Sequence, residues 1–94
     1  MPHLIYTQQA LCDLVRLRNF LAKKSPESSI RAVTKIKSSI QKIALQPDSF
    51  RPVEDMPNYR EIIIDFGSSG YIARFYYKSG SDIKVVRIKH QLED

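Results

Sequence analysis

Apolar positions along the chain change period twice. His3 to Tyr6 alternates and predicts a short strand. Thr7 follows as an N-cap, its hydroxyl free to accept a backbone N–H. Ala10, Leu14, Leu17 and Leu21 then recur at helical spacing, with Leu11 and Val15 widening the stripe. Lys23 and Lys24 close this helix, where cations favour the negative end of the dipole. Ser25-Pro26-Glu27 starts a second one: Ser25 caps, Pro26 fits the first turn, and Glu27 complements the positive end. Its predicted buried stripe is Ile30, Val33, Ile36, Ile40 and Ile43. Two amphipathic helices joined by a tight break make an antiparallel hairpin.

Pro47 ends the second helix, and Pro47 to Pro57 is a loop stiffened by three prolines. The period then becomes two. Strands are predicted at Tyr59 to Phe66, Tyr71 to Lys78 and Asp82 to Lys89, separated by turns at Gly67-Ser68-Ser69-Gly70 and Ser79-Gly80-Ser81. Short turns make these strands antiparallel neighbours. The expected fold is α+β, in the order β-α-α-β-β-β. A helical hairpin packs on one face of a small antiparallel sheet and leaves the other partly open. Leu14, Leu21, Val33, Ile40, Ile64, Phe75 and Ile88 are expected in one core.

Strand parity sorts the faces. Ile62, Ile64 and Phe66 share one side, as do Tyr71, Ala73, Phe75 and Tyr77, and then Val86 and Ile88. The opposite side gathers Arg74, Tyr76, Lys78, Val85, Arg87 and Lys89, with Glu61, Ile63 and Asp65 beside them and His90 just beyond. Such a face suits RNA: cations hold phosphates and a ring can stack a base. Cleavage would further need a base, an acid and positive charge on the phosphoryl group. Glu61 or His90 fit the proton roles and Arg74 the charge role. The same residues also describe a plain solvated sheet face, the simpler reading from spacing alone.

The chain has 94 residues, enough for one domain spanning 1–94, and a hydrophobic fraction of 43% argues against disorder. It shows no apolar run long enough for a membrane span, no basic-then-apolar secretory start, and one cysteine, Cys12, expected to pack as a small core residue. Together these point to the cytoplasm. The net charge is +5. Its placement is uneven: up to Gln46 stand Arg16, Arg18, Lys23, Lys24, Arg31, Lys35, Lys37 and Lys42 against Asp13 and Glu27. That surface suits an acidic partner, protein or nucleic acid, or is ordinary solvated helix. Metal-ligand spacing, a phosphate-binding glycine loop and a nucleophile elbow are absent, so no metal or cofactor is expected.

Three stretches carry a resemblance: Met56-Pro57-Asn58-Tyr59-Arg60-Glu61, Phe66-Gly67-Ser68-Ser69-Gly70-Tyr71-Ile72-Ala73-Arg74-Phe75, and Val85-Val86-Arg87-Ile88-Lys89-His90-Gln91. Together they resemble the RelE/ParE toxin superfamily, and the ParE, plasmid-stabilisation branch more than the RelE branch. The resemblance implies a bacterial toxin of a type II toxin–antitoxin module that arrests growth. It is neutralised by an acidic antitoxin and meets operator DNA only through that antitoxin. ParE-like members poison DNA gyrase, whereas RelE-like members cut mRNA in the ribosomal A site. Arg74 matches an arginine of the nuclease members, His90 falls where some have a histidine, and Glu61 is a looser match to a carboxylate. Many nuclease members also carry a tyrosine near the C-terminus, and here nothing aromatic follows Tyr77. Leu92 stands where ParE-like relatives commonly have an arginine. The expected function is therefore a toxin that poisons gyrase. The alternatives are a ribosome-dependent endonuclease using Arg74 and His90, and a module that only binds antitoxin. Tyr76, Lys78, Arg87 and Lys89 are candidates for contact with target or RNA, and Arg16, Arg18 and Lys35 for antitoxin. Antitoxin apolar side chains are expected between the helices and the sheet edge.

Overall fold

A computed structural model describes residues 2–93. Strand β1 (Leu4–Tyr6) leads into helix α1 (Gln8–Ala22), then α2 (Pro26–Gln41), which tightens into single 3-10 turns at Lys42–Leu45 and Pro47–Ser49. Strands β2 (Arg51–Pro52), β3 (Tyr59–Phe66), β4 (Ser69–Tyr76) and β5 (Ile83–His90) complete one sheet, ordered β1-β5-β4-β3-β2. The two-helix hairpin on a small sheet is as expected, and so are both caps. Thr7 Oγ1 accepts the Ala10 N–H at 3.2 Å, and Ser25 Oγ accepts that of Ser28 at 3.2 Å, with Pro26 in the first turn.

The sheet is mixed rather than wholly antiparallel. β1 lies parallel to β5, Leu4 opposite Ile83 and Tyr6 opposite Val85, while β2 through β5 pair antiparallel. The crossover through both helices makes the parallel pairing possible, since adjacent parallel strands need a long connection. The first hairpin is also tighter than the glycines imply. β4 begins at Ser69, leaving Gly67-Ser68 as a two-residue turn with Gly67 at φ +63°, where glycine escapes the penalty on positive φ.

One core fills the space between helices and sheet. Ala10, Leu14 and Leu17 of α1 and Ala32, Ile36 and Ile40 of α2 meet Ile62, Ile64, Tyr71, Ala73, Phe75, Ile83, Val85 and Ile88. Leu14, Ile40, Ile64, Phe75 and Ile88 are buried as predicted, and Leu21 packs partly buried against them. Val33 is only half-buried, because α2 turns Ala32 and Ser39 inward beside Ile36 and Ile40. That rotation leaves Ile30 67% exposed. Leu11 and Val15 are exposed too, as is Cys12, so the lone cysteine is not a core residue. Asp13, a charged residue of α1, is 1% exposed.

A β-bulge explains the one parity error in the sheet. Arg74 pairs with Arg87 but Phe75 pairs with Val85, so Val86 is the extra residue. Val85, expected on the open face, is fully buried, and Val86 is not. After the bulge the alternation resumes, with Ile88 inward.

Candidate functional site

Backbone register lines up the open face in rows. One row runs Arg51–Glu61–Arg74–Arg87 across β2, β3, β4 and β5, each residue the Cα partner of the next. Flanking rows are Ile63–Ile72–Lys89 on one side and Tyr59–Tyr76–Lys84 on the other. Residues directly opposite in an antiparallel pair interact, and like charges there repel. Glu61 therefore sits where it relieves two arginines at once. Its Oε1 accepts from Arg51 Nη2 at 3.1 Å, and its Oε2 accepts from Arg74 Nε at 3.1 Å and Nη2 at 2.9 Å.

Arg87, which faces Arg74 without a carboxylate between them, is relieved from the other direction. Its Nε donates to Asp13 Oδ2 at 2.9 Å, around the edge of the sheet. That edge is open because β1 ends at Tyr6, leaving the second half of β5 without a strand neighbour on the side away from β4. Side chains take the strand's place: Ile88 N–H donates to Asp13 Oδ2 at 2.8 Å, and Ile88 C=O accepts from Arg16 Nη2 at 3.4 Å. Burial works to raise the Asp13 pKa. The Ile88 N–H and the Arg87 and Gln9 side chains outweigh it and hold the carboxyl below its ordinary value.

Past β5 the chain makes a turn back on His90. His90 N–H donates to Glu93 Oε1 at 2.8 Å, and Glu93 Oε2 accepts from Arg16 at 2.7 Å. Desolvation opposes the Glu93 charge, but these bonds prevail and its pKa is lowered, while Glu93 raises that of Arg16. Leu92 N–H donates to His90 Nδ1 at 3.2 Å. Nδ1 is therefore the acceptor, and Nε2 carries the proton toward Ser69 Oγ, 2.9 Å away. The ring also stands edge-on to Tyr71.

Glu61, Arg74, Arg87, Lys89 and His90 line a single concavity of about 190 Å³ together with Ile72 and Glu93. The candidates for cleavage chemistry are thus brought together, with two of the cations named for target contact. Tyr76 lies just outside, its ring edge-on to Tyr59 at 5.3 Å. Lys78 does not join them: β4 ends at Tyr76, and Lys78 lines a separate hollow with Asp48, Asn58 and Tyr59. Arg51 and Asp13 are neighbours of the candidate site that sequence reasoning missed. The short strand β2 has no alternation to read, and Asp13 is buried through partners far along the chain. No group of three potential metal ligands forms among the described residues.

Of the cations proposed to face an antitoxin, Arg18 and Lys35 stand exposed, whereas Arg16 is committed to Glu93, Asp13 and the Ile88 carbonyl. Beside Arg16 lies an apolar groove of about 450 Å³. Leu17, Phe20 and Leu21 of α1 line one side and Tyr71, His90 and Leu92 the other. Phe20 is 60% and Leu92 80% exposed there. No described helix is long and apolar enough to cross a membrane.

Comparison with known proteins agrees with this architecture. Toxin RelE3 of Caulobacter vibrioides is 31% identical over 81 residues, covering 86% of this chain and 85% of its own. Toxin RelE1 of the same organism is 35% identical over 81 residues, covering 86% and 84%. A solved structure described as the chromosomal ParDE TA system from P. aeruginosa superposes with a TM-score of 0.80 at 22% identity, covering 96% of both chains, and so shares the fold. The family model for the ParE toxin of type II toxin–antitoxin system, parDE, matches residues 4–94. The chain belongs to the ParE toxin family, within the RelE/ParE superfamily.

Proposed function

We propose that this chain arrests growth by binding DNA gyrase, not by cutting RNA, and that a cognate acidic antitoxin neutralises it in the cytoplasm. The observation that carries this reading is the state of the candidate catalytic groups. Both Glu61 oxygens are taken by arginines, the Nε/Nη2 edge of Arg74 is closed by Glu61, and both His90 ring nitrogens are engaged. A carboxylate whose two oxygens are both held by guanidiniums is not turned toward a substrate hydroxyl, and a general base must lie within hydrogen-bond reach of the proton it takes. What the face offers to a target is shape and charge: the concavity with Arg87 and Lys89 in its lining, and Tyr76 outside it.

Cleavage of ribosome-bound mRNA is the second reading. The convergence of Glu61, Arg74 and His90 on one hollow favours it. Two assays on the purified protein separate the readings. Inhibition of gyrase supercoiling with no new 5′ ends by primer extension on translated mRNA supports the first. Codon-spaced 5′ ends with intact supercoiling would replace it by the second. Expression without growth arrest would leave only antitoxin binding.

The antitoxin reading rests on the groove between α1 and the end of β5. Its floor is apolar, and Arg16 stands at its rim. An acidic segment that orders on binding needs apolar anchors to offset the ordering cost, and Phe20, Leu17 and Leu21 are placed to receive them.

A further inference from the structure

We propose that Glu61 is a specificity-determining residue: a built-in anion that keeps nucleic-acid phosphate off the open face of the sheet. The inference rests on the protein-target reading above and deepens it, because it names what excludes the competing ligand.

Three arginines in one register row form a natural seat for a phosphodiester. Arg51, Arg74 and Arg87 come from three different strands, and Lys89 and Lys84 flank the row on either side. An arginine takes a phosphate through two parallel N–H bonds. On Arg74 the edge suited to that fork is Nε with Nη2, and both atoms already point at Glu61 Oε2. The remaining nitrogen, Nη1, faces Met56 Sδ at 3.6 Å. Arg51 turns its Nη2 to the other oxygen of the same carboxylate. Glu61 thus occupies the position a phosphate would take, bound by the groups that would bind it. Its side chain is only 15% exposed, held down between the two guanidiniums. An arriving phosphate would have to displace this carboxylate and then lie beside it.

The charge pattern along the row supports the same conclusion. Register alone places Arg74 opposite Arg87, a repulsive pair. Carboxylates bracket that pair, Glu61 on one side and Asp13 on the other. Asp13 also seals the β5 edge through Ile88, so it has a structural duty. Glu61 bonds only to side chains of the open face and lies outside the core. Its removal therefore unmasks cations without opening the interior.

The test compares Glu61→Gln with Asp65→Asn. Both remove one negative charge from β3, and Asp65 is exposed on the same strand with no arginine between it and solvent. The probe is a fluorescent single-stranded RNA 12-mer, titrated by anisotropy from about 50 to 200 mM salt. Glu61→Gln should tighten binding about tenfold at the low end and steepen the dependence of log K on log salt by about 0.7 for each phosphate newly held. Asp65→Asn should change affinity less than threefold, and Glu61→Gln with Arg74→Ala should return it toward wild type. Equal gains in Glu61→Gln and Asp65→Asn, or no gain in either, would overturn the proposal. Should Glu61→Gln lose its fold by circular dichroism, Glu61→Asp decides: it keeps the net charge but cannot span both arginines. It should still tighten binding, and unchanged affinity would overturn the proposal. The supercoiling and primer-extension assays on wild type judge the parent reading separately, so the two can fail independently.

Discussion

The carboxylate of Asp13 on α1 accepts the backbone N–H of Ile88 on β5 at 2.8 Å, filling the place that the next residues of β1 would have taken. One buried side chain thereby finishes an unfinished edge and anchors Arg87 on the opposite face.

Asp13→Ala should therefore be costly. It strands the Ile88 N–H and unpairs Arg87. Losing charge-assisted bonds of this kind costs about 1.5–3 kcal/mol. Urea unfolding should show a midpoint shift of that size with an unchanged slope. A loss under about 0.5 kcal/mol would mean that water replaces the carboxylate. Asp13→Asn, which keeps one acceptor oxygen, should fall between.

Acid should weaken the fold through the same residue. The folded Asp13 pKa lies below its ordinary value, so the unfolded chain binds more protons between the two. Its contribution is complete above the unfolded value of about 4 and is lost as pH falls through the lower folded value. Glu93 acts in the same direction, but as a more exposed group it adds less. Urea midpoints measured from pH 7 to pH 2.5 should fall less steeply in Asp13→Asn than in wild type. Parallel curves would rule out this linkage.

Gly70 should resist substitution more than Gly67. A Cβ at Gly70 would sit 2.1 Å from the Ile64 carbonyl oxygen and 3.1 Å from Asp65 Cα, both backbone atoms that cannot swing aside. At Gly67 nothing lies within 4 Å, and only the positive φ opposes a side chain. Gly67→Ala should cost about 1–2 kcal/mol and Gly70→Ala clearly more. Thermal melts of the two variants would settle the order, and the reverse order would contradict the register of β3 with β4.

Antitoxin association should respond to the exposed helical cations. Arg18→Glu with Lys35→Glu should slow association about tenfold or more at low salt and much less at 0.5 M salt, as steering charges do. Stopped-flow fluorescence would read the rate. Arg16 is left out because it supports the β5 edge, so its loss would confuse steering with structure. An unchanged rate would make this face plain solvated surface.

The readable parts of the fold are those with local causes. Thr7 and Ser25 cap helices through atoms three residues away, and Ile62, Ile64, Ala73 and Phe75 alternate within their own strands. The missed parts have distant or accidental causes. Ser29 is buried where Ile30 was expected, since Ser29 Oγ satisfies itself on the Pro26 carbonyl at 2.7 Å and small residues let α2 approach closely. The extra residue Val86 shifts the pattern of β5 by one, and no local signal marks it. Asp13 is buried because of Ile88 and Arg87, which lie 75 and 74 positions away. At the site, face assignment from parity placed Glu61 and Arg74 together, but the row through Arg51 and Arg87 is a matter of register. Register emerges only when strands pair.

The parallel pairing of β1 with β5 also sets when the protein becomes complete during its own synthesis. Leu4 waits for Ile83, and Thr7 N–H waits for the Val85 carbonyl, so the first strand has no partner until β5 is made. At about 5–20 residues per second, that delay lasts roughly 4–16 s. Throughout it α1 and α2 can form, but the open face with its arginine row cannot, because β5 supplies Arg87, Lys89 and His90. The arginine row is thus assembled only after β5 has been made, later than either helix that packs beneath it.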